Sequence, residues 1–482
     1  TKPPCLTRHD SVALSPFGRP MLFPTLAFGL FFLVAFLLNW LTRPHPMIWK
    51  IVMLGVSIFF YGWWNWRFVF LLLWAITSNW VAGTQIDKHL CAGSKRLAKN
   101  WMRTAIVGDL VLLGVFKYYD FFAVELSNLL GSSATIPLLE LTLPVGISFF
   151  TFQAMSYVID LHRRDIDPMP MLDFAVYLSF FPQLVAGPIV RAAEMAPQIR
   201  KQPDPRRVAS GEAFHLILRG LFKKVVISSW LASAIVDDVF SNPESHSSQD
   251  VLIGIYGYAI QIYADFSGYT DIAIGVALLL GFRFPTNFDR PYSALSLREF
   301  WKRWHITLSS WLRDYLYIPL GGNRGKQSDT YRNLLLTMVL GGLWHGSTWN
   351  FVIWGFIHGI ALSVERILPN RRNHPVIRWF VTFHIVCFAW VFFRADSLSS
   401  ALDVIRGLAS LPSSAELTSS LSVLLLVGMM AAQFVPYSKS EDLKRILSRQ
   451  RILVQGLTFG FGLVLIDLFG PEGVAPFIYF QF

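Results

Sequence analysis

Apolar stretches long enough to cross a bilayer recur along this chain, and they constrain its fold more than any other feature. Phe23–Leu41, Phe68–Val81, Leu252–Tyr263 and Leu421–Val435 each approach or join into spans of roughly 18–20 residues, the length a helix needs to traverse about 30 Å of hydrocarbon. Around ten such spans can be traced. With 53% hydrophobic and only 15% charged residues, the chain carries more apolar surface than a water-soluble core of its size could bury. Lipid replaces water as its main solvent, and the fold class follows: an all-α polytopic integral membrane protein. Many of the 17 Trp and 41 Phe lie at span ends, as in Tyr61-Gly62-Trp63-Trp64-Asn65-Trp66, where rings seat at the membrane–water boundary.

The net charge of +11 does not point to nucleic acid. Its Lys and Arg residues sit in short loops between apolar spans rather than on one face. Basic clusters at Lys88–Arg103, Arg163–Arg164, Arg191–Arg207, Arg283–Arg332, Arg366–Arg378 and Lys439–Arg451 are assigned to the cytoplasm. Ser127–Glu140, Asp237–Asp250 and Ala395–Ser420, poor in bases, lie opposite. This alternation puts Pro471–Phe482 on the outer face, or reaching back into the protein from it. Cys5, Cys91 and Cys387 show no paired spacing, and no two histidines have close ligand spacing, so neither disulfide framework nor metal site is expected. Thr1–Pro20 is polar and carries four prolines; it reads as a disordered extension or tag before one transmembrane domain, residues 21–482. The first apolar span lacks a small-residue cleavage site and is expected to stay as an anchor.

Two segments have cytoplasmic-type charge on both sides. Leu172–Val190, interrupted by Pro182, Gly187 and Pro188, is expected to dip into the membrane and return. Leu334–Leu368 turns at Gly341-Gly342-Leu343-Trp344-His345-Gly346-Ser347-Thr348-Trp349, with a histidine at or near the apex. Phe214–Phe240 reads as a long amphipathic helix partly in lipid, whose Lys223 and Lys224 snorkel.

An ionisable group inside an apolar, glycine-rich turn is costly, which makes His345 a functional candidate. A neutral imidazole there can serve as general base, taking a proton from an acceptor hydroxyl as its oxygen attacks a thioester; a histidine hydrogen-bonded between helices fits equally. His305 lies in the most basic loop, Phe300–Arg324, with Arg303, Asp314, Asn323 and Arg324. Such a cationic, aromatic surface suits the phosphates of a coenzyme A thioester or an acidic carrier protein, and also a leaflet of anionic lipid. Asp265 and Asp271 in Tyr263–Asp271 either orient a histidine and shape a polar tunnel, or pair with arginines such as Arg283 or Arg290. His358, His384, His162 and His215 lack the setting of His345.

The run Gly341-Gly342-Leu343-Trp344-His345-Gly346 resembles the signature histidine motif of the membrane-bound O-acyltransferase superfamily. Leu143–Phe149, Phe180–Ile189, Asp265–Tyr269, Asn287–Tyr292 and Trp301–Arg324 are similar to the bacterial alginate O-acetyltransferase branch of it, an ordered series covering most of 21–482. The resemblance implies about eleven transmembrane helices plus re-entrant helices around a central funnel. It implies transfer of an acyl group, usually acetyl, from acetyl-CoA or an acyl carrier protein thioester in the cytoplasm, with no bound cofactor. The acceptor would be an extracytoplasmic polysaccharide such as alginate or cellulose, reached across the bacterial inner membrane with a periplasmic SGNH-type acetyltransferase or an export complex as partner. Peptidoglycan O-acetylation and a transporter of a lipid-linked or acylated substrate are the alternatives. By the resemblance His345 is the catalytic residue, with Trp344 beside it, and His305 a second histidine on the donor side. The terminal Phe477–Phe482 resembles an aromatic motif in which a tyrosine is an acyl relay, a role that falls to Tyr479. The extension before Met21 matches nothing in that family, and His162 stands where tyrosine is common.

Overall fold

The computed structural model describes residues 21–131, 136–185, 187–201, 204–368, 374–409, 417, 419–471 and 478. All the regular structure among them is helical. The chain begins with α1 (Leu26–Thr42), α2 (Pro46–Trp64), α3 (Arg67–Cys91) and α4 (Lys95–Leu113), which runs through a π-helical turn (Gly114–Tyr118) into α5 (Tyr119–Leu130). Then follow α6 (Ile147–Arg163), the short α7 (Met171–Ser179) and α8 (Phe181–Leu184), and α9 (Ala192–Arg200). Next, α10 (Ser210–Leu221), α11 (Ser229–Leu231) and α12 (Asp237–Ser241) are joined by π turns at Phe222–Ser228 and Ala232–Val236 and lead to α13 (Ser248–Leu279). The C-terminal half comprises α14 (Leu297–Arg303), α15 (Ile306–Leu312), α16 (Gln327–His345), α17 (Trp349–Ile367), α18 (Pro375–Arg394), α19 (Leu398–Gly407), α20 (Ser420–Ala432), α21 (Tyr437–Ser448) and α22 (Ile452–Phe469).

Among the described residues, five helices are long and apolar enough to cross a membrane: α2, α3, α13, α18 and α22. Shorter apolar helices, α1 and α20, accompany them. Their settings differ sharply. The apolar window of α13 is 94% buried in protein, whereas that of α22 is 11% buried and presents Leu453, Leu457, Phe461 and Leu468 outward. A sheath of lipid-facing helices therefore surrounds α13, and its carboxylates at Asp265 and Asp271 lie in protein rather than in hydrocarbon. Buried polar ties fix the sheath to this centre. Asn39 on α1 donates to the carbonyl of Leu280 and accepts from Trp49 Nε1 on α2 at 2.8 Å.

The broken segment behaves as its prolines and glycine predict. At about 1.5 Å rise per residue, the nine residues of α7 are too short to span a bilayer, and they are buried almost throughout. Phe180 breaks the helix, and α8 begins again within the protein interior. Phe214–Phe240, by contrast, is a correction. Lys223 and Lys224 do not snorkel to an interface; they are 8% and 0% exposed. Consecutive residues of an α-helix diverge by about 100°, and the π turn containing these lysines lets both face α13. Lys224 pairs with Asp265, and Lys223 lies 2.6 Å from Asp271. Asp271 also receives Arg219 from α10 at 2.7 Å. The carboxylates thus have basic partners, but not those expected: Arg283 lies 3.8 Å from Glu212 and Arg290 pairs with its neighbour Asp289.

Candidate functional site

The helical hairpin α16–α17 carries the sharpest sequence signal. Its arms approach so closely that a Cβ on Gly342 would stand 2.1 Å from the carbonyl oxygen of Phe351, and one on Gly355 would stand 2.3 Å from that of Met338. Small residues at helix contacts let backbones meet in this way when lipid gives helices no hydrophobic reason to associate. The contact places His345, the last residue of α16, beside the start of α17.

His345 is 4% exposed and enclosed by rings from three helices. Trp344 and Trp354 stand edge-on at 5.1 Å between centroids, and Phe393 of α18 at 5.2 Å. Beyond Trp344, whose ring also meets Phe149 and Phe152 of α6, lies His305 at 6.1 Å. The tryptophan ring therefore meets both sequence-predicted histidines. His305 precedes α15 in a left-handed conformation, φ 42°, uncommon for a residue with a Cβ and the kind of outlier that collects at functional sites. It is fully buried, its Nδ1 shares a hydrogen bond of 3.2 Å with Asn287 Oδ1, and its ring meets Phe266 of α13 at 4.6 Å. Asn287 in turn accepts from Thr307 N and Oγ1, so it holds both the ring and the start of α15. Asp265-Phe266 consequently faces two ways: the phenyl ring meets His305 while the carboxylate meets Lys224.

A third imidazole joins this group, against the sequence expectation. His358 on α17 is fully buried, contacts Trp354 at 4.9 Å, and also meets Trp301 at 5.0 Å and Phe300 at 6.3 Å. Neither of its ring nitrogens, nor His305 Nε2, has a hydrogen-bond partner among the described residues. Buried imidazole nitrogens without partners are costly and available to a polar ligand. The spacing from Trp354 to His358, one helical turn, was the signal that could have disclosed it.

The remaining predicted residues separate. Arg303 is held by Glu299 at 2.6 Å and Ser293 at 2.8 Å. Asp314 bridges Arg191 and Arg313, while Tyr315, next to it, donates to Asp160 of α6. Asn323 and Arg324 are exposed. Tyr479 lies outside the described residues; Ile478 before it is 3% exposed and donates its backbone N–H to Asp265 at 2.9 Å. No group of three or more His, Cys, Asp or Glu among the described residues is arranged to hold a metal ion.

Sequence reasoning missed Lys117. It lies in the π turn after α4, within the apolar, aromatic run Gly114–Phe122, and its Nζ donates to the carbonyls of Trp344 and of His345, the latter at 2.9 Å. A lone lysine in such a run is itself a functional signal in a membrane protein.

Residues 100–399, which include Lys117 and all three imidazoles, match the model of MBOAT, the membrane-bound O-acyltransferase family. The chain belongs to this family. It is 40% identical over 418 residues to the peptidoglycan O-acetyltransferase of Helicobacter pylori, covering 80% of this chain and 77% of that one. The probable alginate O-acetylase AlgI of Pseudomonas aeruginosa is 42% identical over 361 residues, 73% of this chain and 68% of the relative. The protein of that name from Pseudomonas putida is 35% identical over 464 residues, 90% and 94% of the two chains. This member of the family is an acyltransferase and a multi-pass membrane protein.

Proposed function

We propose that this acyltransferase moves an acetyl group from a cytoplasmic thioester, acetyl-CoA or an acyl carrier protein, across the bacterial inner membrane to O-acetylate an extracytoplasmic polysaccharide. The observation that carries the reading is the burial of His345 in an aromatic enclosure, at the turn of a glycine-locked hairpin inside the family region. As general base, His345 takes the proton of the attacking hydroxyl; the new C–O bond forms, the C–S bond breaks, and the proton passes from the imidazolium to the departing thiolate. Rings from three helices keep out water that would hydrolyse the thioester. His305 is a second histidine on the donor side. Tyr479 would accept the acetyl group as an ester and yield it to a periplasmic SGNH-type partner.

Residues 21–482 would form one domain of about eleven transmembrane helices with re-entrant segments, and 1–20 an extension. The 40% identity to a peptidoglycan O-acetyltransferase favours peptidoglycan as a second acceptor reading. Family membership in an acyltransferase class replaces the transporter alternative.

The test is acyl transfer from radiolabelled acetyl donor by purified protein, with His345→Ala and Tyr479→Phe beside the parent. Loss of His345 is expected to reduce transfer by about 10²–10⁴-fold, and protein-bound label that resists denaturation is expected to vanish in Tyr479→Phe. Near-parental transfer by His345→Ala would sink the assignment of the base.

A further inference from the structure

The end of α16 poses a problem that its own sequence does not solve. The last four carbonyls of a helix have no intrahelical partner, and at membrane depth no bulk water is present to take them. Gly346 N reaches Gly342 O at 3.4 Å, and the chain then leaves in an extended conformation. The next three carbonyls, of Leu343, Trp344 and His345, are met from another helix. Tyr118 Oη donates to Leu343 at 2.7 Å, and Lys117 Nζ donates to both Trp344 and His345. Two consecutive side chains reach one target because they stand in a π turn, Gly114–Tyr118, a feature frequent at functional sites. The ammonium meets the negative end of the α16 dipole and lies 5.9 Å from the centre of the Trp344 ring, within cation–π range. Just beyond the turn, Phe121 of α5 packs on Trp349 at 5.8 Å. One short stretch thus grips both sides of the histidine turn.

We propose that Lys117, with Tyr118, is a positioning residue for the acyl-transfer reaction: a cap supplied from a neighbouring helix that fixes the backbone of Trp344 and His345, and through it the imidazole. The proposal rests on the reading of His345 as the base. Lys117 touches backbone oxygens and not the reacting atoms. Its effect belongs in kcat rather than in donor binding, because a displacement of about 1 Å at the reacting group costs on the order of 10²-fold in rate.

The experiment compares the parent with Lys117→Met, Lys117→Ala with and without added propylamine, and His345→Ala, all purified in detergent. Transfer kinetics are followed together with hydrogen exchange at the amides of Gly346–Thr348. Expected are faster exchange across that turn in both Lys117 variants, a fall in kcat of about 10- to 100-fold with KM for the donor little changed, and partial recovery of kcat in Lys117→Ala when propylamine fills the space of the lost side chain. Propylamine should leave the parent unaffected. Should Lys117→Met fail to fold, Lys117→Gln, which keeps a donor without the charge, takes its place. Faster exchange with parental kcat would overturn the proposal, since the cap would then serve stability alone; unchanged exchange would overturn it as well. Failure of the underlying reading is separable: near-parental transfer by His345→Ala removes the assigned base, while exchange in the Lys117 variants still reports whether the cap holds the turn.

Discussion

Between α13 and the end of α10 with the π turn that follows it, three cations and two carboxylates meet as ion pairs; around the α16–α17 hairpin, three imidazoles stand among aromatic rings. Both clusters place ionisable groups where hydrocarbon would forbid them. The difference lies in what satisfies the groups. Arg219, Lys223 and Lys224 are matched by Asp271 and Asp265, with Ser267 and Ser228 completing the set. That arrangement joins α10 to α13. The imidazoles face π surfaces, and His305 and His358 keep ring nitrogens for which the described residues offer no partner. On the proposed reading of His345, the ion-paired cluster serves the fold and the aromatic one the chemistry.

Complementary substitutions can break this contrast. His345→Ala should remove transfer while leaving the thermal midpoint close to that of the parent. Lys224→Met should act first on stability, because removing one member of a buried pair leaves a carboxylate uncompensated, at roughly 3–5 kcal/mol. Lys224→Met combined with Asp265→Asn should recover most of that loss: the amide carries no charge and still accepts from Ile478 N. Thermal unfolding monitored by size-exclusion chromatography reads the series. A double variant no more stable than Lys224→Met would mean that the pair is not the source of the loss.

A smaller effect separates close helix contacts from lipid-facing ones. Gly342→Ala drives a methyl group into the Phe351 carbonyl, an overpacking that costs about 1–3 kcal/mol and parts the hairpin at the histidine. Gly428→Ala on α20 meets nothing within 4 Å and should be neutral or stabilise its helix by up to about 1 kcal/mol. Equal thermal midpoints for the two variants would refute the close packing assigned to the hairpin.

What was legible in the sequence divides along the same line. Apolar spans, the broken Leu172–Val190 segment and the hairpin around His345 could be read because composition and loop charge report directly on burial and on helix ends. The partners of Asp271 could not: Arg219 and Lys223 lie far from it in sequence, and a π turn, which no periodicity announces, rotates the two lysines inward. His358 lies inside an apolar helical run rather than at a glycine-rich turn, so its sequence does not announce an environment set by Trp301 and Trp354 from two helices. Lys117 was hidden by its isolation. It belongs to no basic cluster, and only the third dimension brings it to the end of α16.

The weakest expected effect tests the outer end of the donor route. Arg324 and Asn323 are exposed, so Arg324→Ala should change stability by no more than about 0.5 kcal/mol and leave kcat unaltered. If the basic loop receives an anionic thioester, KM for the donor should rise at low ionic strength, and the rise should fade as salt approaches 1 M, where the screening length falls to about 3 Å. Kinetics at two salt concentrations decide the matter. A KM indifferent to Arg324 at low salt would assign this loop to the anionic leaflet instead.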